Sequence, residues 1–176
     1  MKRKTAEVDI ELHLGEGGSI ETGDKVFDHM LNTLFFYMDK KVKLDARGDL
    51  SHHLWEDTAI VLGQEINDNY DRNRIARFGD SIMPMDDALV LTCVDISRSF
   101  LNFDLEVKAR EEGFNPVLAE EFLRGLSRSL EATIHVKKLS GKNPHHLIEA
   151  CFKGLGVALG KALGESENSK STKGVL

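Results

Sequence analysis

The residues best suited to chemistry in this chain are two His-His-Leu-x-Glu runs, His52–Glu56 and His145–Glu149. At a helix start, the first His and the Glu of such a run share one face, with Cβ atoms roughly 5–6 Å apart. A divalent ion can bridge that gap. The second His is turned by about 100° and points elsewhere, to a second ion or a neighbouring subunit. Two such runs suggest two sites that share ligands crosswise. A single run reads equally well as a polar surface. Two runs in register, together with His29 in Phe27-Asp-His-Met-Leu, take up His52, His53, His145 and His146 and make coincidence the weaker reading. His13 and His135 fall on expected strands and read as ordinary packed or surface histidines. A shell of imidazole and carboxylate without thiolate suits Mn²⁺, Fe²⁺, Zn²⁺ or Co²⁺. Manganese would keep octahedral positions open for a substrate.

The elements that must hold these residues follow from periodicity. Residues 5–13 alternate apolar and polar as a half-buried strand does. Gly15, Gly17 and Gly18 make a turn before a short strand near residues 19–22. The apolar stretch 25–38 suits a buried helix, and 42–46 a strand. A helix over about 51–67 has Ser51 as its expected N-cap. The polar stretch 68–77 reads as a loop. Strands follow at about 81–96, interrupted near Pro84, and at 100–108. Pro116 and Pro144 fit the first turns of helices reaching Ala132 and Leu163, with a strand over 133–139 between them. Leu62-Gly63 follows the first motif at the same offset as Leu155-Gly156 follows the second. The chain therefore reads as an internal duplication, with a first α+β half over 1–80, a second over 81–164, and a polar tail over 165–176. Neither half would bury enough apolar surface alone.

Bulk properties agree with a globular domain. The chain has 176 residues, 41% of them hydrophobic, and no apolar run long enough to span a bilayer. Its basic N-terminus lacks the apolar core of a signal peptide, so a cytoplasmic protein is expected. Cys93 and Cys151 read as two reduced, packed thiols. A formal charge of −6 argues against nucleic acid as a general partner. Small basic groups at 72–77, 137–138 and 170–173 can still hold one small anion.

These motifs resemble the imidazoleglycerol-phosphate dehydratase family of histidine biosynthesis. The resemblance runs nearly end to end, through Arg3-x-Thr5-x-Glu7, Thr22-Gly23, Phe27-Asp-His-Met-Leu, Gly48-Asp-Leu, His52-His-x-x-Glu-Asp, Arg77-Phe-Gly, Pro84-Met-Asp-x-Ala-Leu, Leu139-x-Gly-x-Asn-x-His-His-x-x-Glu, Phe152-Lys and Ser171-Thr-Lys-Gly-x-Leu. It implies a duplicated α+β fold like the second domain of ribosomal protein S5. It also implies a pair of Mn²⁺ ions per active site, no organic cofactor, and assembly of trimers into a 24-subunit shell with active sites at subunit interfaces. The implied reaction converts imidazoleglycerol phosphate to imidazole-acetol phosphate by way of an imidazolate held on metal. By resemblance, Glu7 is the acid/base group. His29, His52, His53, Glu56, His145, His146 and Glu149 are metal ligands. Arg77, Lys153, Ser171 and Lys173, with Arg98, hold the phosphate, and the tail orders over it.

The chain departs from the family pattern at several of these places. Glu121 stands where a ligand His is usual, at the place in the repeat that His29 holds in the first half, and is expected to ligate as a carboxylate. Thr33 and Tyr37 replace a usual Gln and His, Val8 a Thr, and Lys170 a Pro. Ser97-Arg98-Ser99 shifts an arginine by one position. Two other readings use the same ligands. One is a dinuclear metal hydrolase of a small phosphate ester. The other is a non-catalytic shell glued by metal, which would have no use for a phosphate clamp.

Overall fold

The alternation over residues 5–13 does not make one strand. Thr5 accepts hydrogen bonds at its hydroxyl from the backbone N–H groups of Glu7 and Val8, both at 3.1 Å. This local side-chain bond turns the chain. It separates β1 (Lys2–Lys4) from β2 (Val8–Leu14), which pair antiparallel. Glu7 therefore sits on the turn and not on a strand. The computed structural model describes residues 1–107 and 113–167.

The remaining elements are β3 (Ile20–Glu21), α1 (Lys25–Tyr37), β4 (Val42–Gly48), α2 (Ser51–Asn69), β5 (Phe78–Met85), β6 (Ala88–Ile96), β7 (Phe100–Asp104), α3 (Pro116–Leu130), β8 (Ala132–Ser140) and α4 (Pro144–Ala162). The sheet orders are β1-β2-β4-β3 and β5-β6-β8-β7. In each sheet the last-named strand pairs parallel with its neighbour and the other pairs are antiparallel. The order β-β-β-α-β-α thus occurs twice, so the duplication expected from the motifs is complete at the level of topology.

Several expected boundaries shift for identifiable reasons. Pro84 does not interrupt a strand. It lies within β5, an edge strand where a missing N–H costs no ladder bond. The break is the turn at Asp86 and Asp87, with Asp86 at φ 48°. Ser51 is the first residue of α2 and not its cap. Leu50, whose side chain has no acceptor, holds the cap position without a side-chain bond, and the neighbouring Asp49 Oδ1 lies 2.7 Å from His53 Nδ1. The loop expected over 68–77 contains the end of α2 and a 3₁₀ turn, Arg72–Arg74. Asp24, Asn115 and Asn143 do cap α1, α3 and α4 through their side chains, and Pro116 and Pro144 occupy the first turns.

The helices lie between the sheets. α2 packs on β2 and β4, α4 on β5 and β6, and across the middle α1 meets α4 while α2 meets α3. Each helix sends one large aromatic to the centre: Phe27, Trp55, Phe122 and Phe152, all fully buried. Phe27 stacks on Trp55 at 4.2 Å between centroids, and Phe122 meets Phe152 at 5.2 Å. Burying such side chains stabilises by roughly 1.5–3 kcal/mol each. The helix pairs approach closely at glycine. A Cβ on Gly63 would lie 2.0 Å from Ser129 Oγ, and one on Gly156 would lie 2.4 Å from the Leu34 carbonyl oxygen.

Candidate metal centre and active site

The close pairing of α1 with α4, and of α2 with α3, assembles two groups of ligand atoms. His29 of α1 joins His145 and Glu149 of α4. His52 and Glu56 of α2 join Glu121 of α3. Within each group the atoms lie within 4.8 Å of one another. Among the described residues, these two are the groups of three that could hold an ion. Each takes its His-x-x-x-Glu pair from one helix and its third member from a helix of the other half. That crosswise arrangement follows from helices that swap partners between halves.

In both groups the motif carboxylate is divided in the same way. Glu149 Oε2 faces the Nε2 atoms of His29 and His145 at 3.1 and 2.9 Å, while Oε1 meets Lys153 Nζ at 2.8 Å. Glu56 Oε2 faces His52 Nε2 at 3.6 Å, while Oε1 accepts from Arg128 at 2.5 Å. One oxygen is tied to a cation and the other is aimed with the imidazoles at a common point. Oxygen and nitrogen donors at this spacing suit a divalent ion. Burial pushes the Glu149 carboxyl up. The hydrogen bonds and charge of Lys153, with the bonds to His29 and His145, outweigh burial and hold it down at about 2. The group is therefore an anion over the ordinary pH range, as a metal ligand must be. Phe114 stacks flat on the His145 ring at 4.1 Å and fixes its plane.

The second histidine of each motif points away from its own group, as the helical offset requires. His53 Nδ1 bonds Asp49 and lies 4.0 Å from Glu7 Oε2. The Asp49 hydrogen bond raises the His53 pKa, against an opposing contribution from burial, and the Glu7 charge adds to the rise. His146 Nδ1 lies 2.8 Å from Asp87 Oδ1, and His146 Nε2 lies 3.3 Å from Asp86 Oδ2. The bond from His146, followed by the Lys142 amide, pulls the Asp87 carboxyl down to about 2. Such second partners fix an imidazole's orientation and tautomer.

Among the described residues, the expected phosphate residues do not converge in one chain. Lys153 lies beside Glu149. A cavity of about 600 Å³ opens there, lined by Thr33, Tyr37, Lys40, Lys41, Glu149 and Lys153, among others. Arg77 is at the far end of α4, where its N–H donates to the Ala162 carbonyl. By helical rise this is ~20 Å from Glu149. Its guanidinium is paired with both oxygens of Asp95 at 2.6 and 3.2 Å. Arg98 is exposed on the turn between β6 and β7, at the same end. Ser171 and Lys173 lie outside the described residues. His13 and His135 are on β2 and β8 and join neither group. Cys151 is buried and its thiol is pushed up to about 12, and Cys93 is half-buried; both are free thiols.

Sequence reasoning missed several residues of this neighbourhood. Asp49 was within reach of it, since it stands four residues before His53 on one helical face. Arg128, Asp87, Phe114, Lys40 and Lys41 gave no such signal, because each arrives from an element distant in sequence or from a loop.

The imidazoleglycerol-phosphate dehydratase family model matches residues 22–159. The chain is 52% identical to imidazoleglycerol-phosphate dehydratase of Pyrococcus furiosus, over the whole of both chains. It is 41% identical to that of Dictyoglomus thermophilum, covering 100% of this chain and 97% of the other. A crystal structure of the P. furiosus protein superposes with a TM-score of 0.97 over 100% of both chains. A Staphylococcus aureus structure, 32% identical, gives 0.84 over 94% of this chain and 98% of the other. With its duplicated α+β fold and its paired ligand groups, the chain belongs to the imidazoleglycerol-phosphate dehydratase family, the hydro-lyases of histidine biosynthesis.

Proposed function

We propose that the chain dehydrates D-erythro-imidazoleglycerol phosphate to imidazole-acetol phosphate at a pair of Mn²⁺ ions. In this reading His29, His145 and Glu149 hold one ion, and His52, Glu56 and Glu121 hold the other. His53 and His146 complete the shells of neighbouring copies. The observation that carries the reading is the matched division of Glu56 and Glu149, each with one oxygen on a cation and one turned to imidazole. Bound there, the ions would supply Lewis-acid charge and a template for the substrate imidazole.

The chain's own residues account for the remaining work. Dehydration breaks the bond to the hydroxyl next to the ring and removes a proton from the adjacent carbon. The resulting enol becomes the ketone. In this reading Glu7 moves these protons; it lies on an exposed turn with its carboxylate 4.0 Å from His53. Lys153 is the cation nearest the first group and suits a phosphate. Arg77 and Arg98 lie too far away to help within one chain, so in this reading they bind the phosphate of a neighbour's substrate. Their planar forks match phosphate oxygens. Ser171 and Lys173 of the 165–176 tail would complete that clamp.

A self-assembled particle, trimers joined into a 24-mer, is supported by the surface. The outer face of the first sheet is charged, with Glu11, Lys43, Asp45 and Arg47 exposed. The outer face of the second displays Phe78, Ile82, Phe100 and Leu139. Exposed apolar faces of this kind mark association surfaces. Among the described residues no helix is long and apolar enough to cross a membrane, and we place the enzyme in the cytoplasm. The halves expected over 1–80 and 81–164 are then two copies of one unit, with the second beginning slightly earlier, at the start of β5 (Phe78).

The test is an assay of metal-stripped, Mn²⁺-reloaded protein with imidazoleglycerol phosphate, following imidazole-acetol phosphate and free phosphate together. Metal-dependent ketone without free phosphate is expected. Free phosphate in place of ketone, or neither product, would overturn the reading.

A further inference from the structure

The two ligand groups share a design but not a composition. The α1–α4 group offers two imidazoles and one carboxylate, and the α2–α3 group one imidazole and two carboxylates. The difference is a single position, because Glu121 holds in the second half the place that His29 holds in the first.

The surrounding charge has been rearranged to match. In the α1–α4 group the cation is Lys153, four residues after Glu149 on the same helix. The corresponding position after Glu56 is Ile60, which carries no charge. In the α2–α3 group the cations come instead from α3. Arg128 bonds Glu56 Oε1, and Arg124, hydrogen-bonded to Glu120 at 2.5 Å, lies 4.0 Å from Glu121 Oε1. Seven residues after His29, where Arg128 follows Glu121, stands the exposed Phe36. An extra carboxylate and extra arginines thus occur together, on one helix face of one group. The guanidinium on Glu56 Oε1 leaves Oε2 as the oxygen free to turn toward an ion.

We propose that the two metal centres differ in kind, with Glu121 making the α2–α3 centre the harder, oxygen-rich one. This rests on the metal reading given above. Carboxylate donors suit Mn²⁺ and Mg²⁺, whereas imidazole raises the preference for Zn²⁺. An imidazole added to each group by a neighbouring copy would leave the difference intact. The α1–α4 centre exchanges to zinc readily, and the α2–α3 centre retains manganese.

Zinc competition against the Mn²⁺-loaded full chain tests this, with released Mn²⁺ read by electron paramagnetic resonance. The expected curve has two equal phases with separate zinc midpoints, the centre richer in imidazole exchanging at the lower one. Glu121→His should merge them at the lower midpoint, and His29→Glu should merge them at the higher one. Circular dichroism confirms that each variant is folded, and either folded variant suffices. A single phase in the unaltered chain, or two phases persisting in a folded variant, would overturn the proposal. Failure of the unaltered chain to bind Mn²⁺ at all would instead overturn the metal reading, and the proposal with it.

Discussion

At the scale of single residues, the chemistry depends on side chains held from two directions. His53 is tied to Asp49 behind it and faces Glu7 ahead, so the proposed acid/base group and the proposed ligand histidine share one microenvironment. Glu7→Gln should leave substrate binding and metal content near normal and lower kcat by roughly 10²–10⁴-fold, the usual contribution of a positioned acid/base. A kcat within a few-fold of the unaltered chain would remove Glu7 from the mechanism. The two His-x-x-x-Glu pairs were legible in the sequence, because four-residue spacing on a helix has one geometric meaning. The division of each carboxylate between a cation and imidazoles was not. Arg128 reaches Glu56 across 72 positions, and no local periodicity announces such a contact. Glu7 was misplaced for the opposite reason. Apolar alternation continued through residues 5–7, and only the Thr5 hydroxyl reveals the turn.

At the scale of elements, the ligand geometry depends on how closely the paired helices approach. Gly156 is the clearest case. In an open helix Gly→Ala gains about 1 kcal/mol. Here the new methyl would lie 2.4 Å from the Leu34 carbonyl oxygen, so Gly156→Ala should destabilise by roughly 1–3 kcal/mol. Thermal or denaturant unfolding measures this, and a stabilised variant would show that α1 and α4 can part freely. The Leu-Gly pairs at 62–63 and 155–156 were visible as a repeat, but their packing role required knowing which helices meet. A second element-scale test concerns Glu65, near the end of α2. Burial pushes its carboxyl up. The N-terminal ammonium at 2.8 Å and the Leu14 amide outweigh that and leave its pKa below 4.5. A carboxyl depressed by folding stabilises above its unfolded pKa, and the benefit is lost as pH falls through its folded value. Glu65→Gln should therefore melt lower than the unaltered chain at neutral pH, and the two should converge as the solution is acidified below 4.5. A gap independent of pH would assign Glu65 a packing role only.

At the scale of the whole molecule, the duplication is nearly symmetric in topology and asymmetric in surface. One outer sheet face is charged, and the other carries exposed Phe78, Ile82 and Phe100 among the charged Asp80, Asp104 and Lys137, although both arise from the same strand order. The strand periods made both sheets legible, yet the sequence gives no sign of which outer face meets a partner. Replacing Ile82, 58% exposed, and Phe100, 53% exposed, by Asp should leave the monomer fold intact. It should reduce the proposed particle to smaller species in analytical ultracentrifugation. An unchanged sedimentation coefficient would move the association surface elsewhere. In the proposed reading the placing of Arg77 at the end of α4, nine residues beyond Lys153, belongs to this scale too, because a neighbouring copy would bring the two together. The most direct test of the account is diffraction from Mn²⁺-soaked crystals at the manganese edge. It should reveal two ions per chain, one coordinated by His29, His145 and Glu149 Oε2 and one by His52, Glu56 Oε2 and Glu121. Ions bound elsewhere, or a single ion touching neither group, would contradict it.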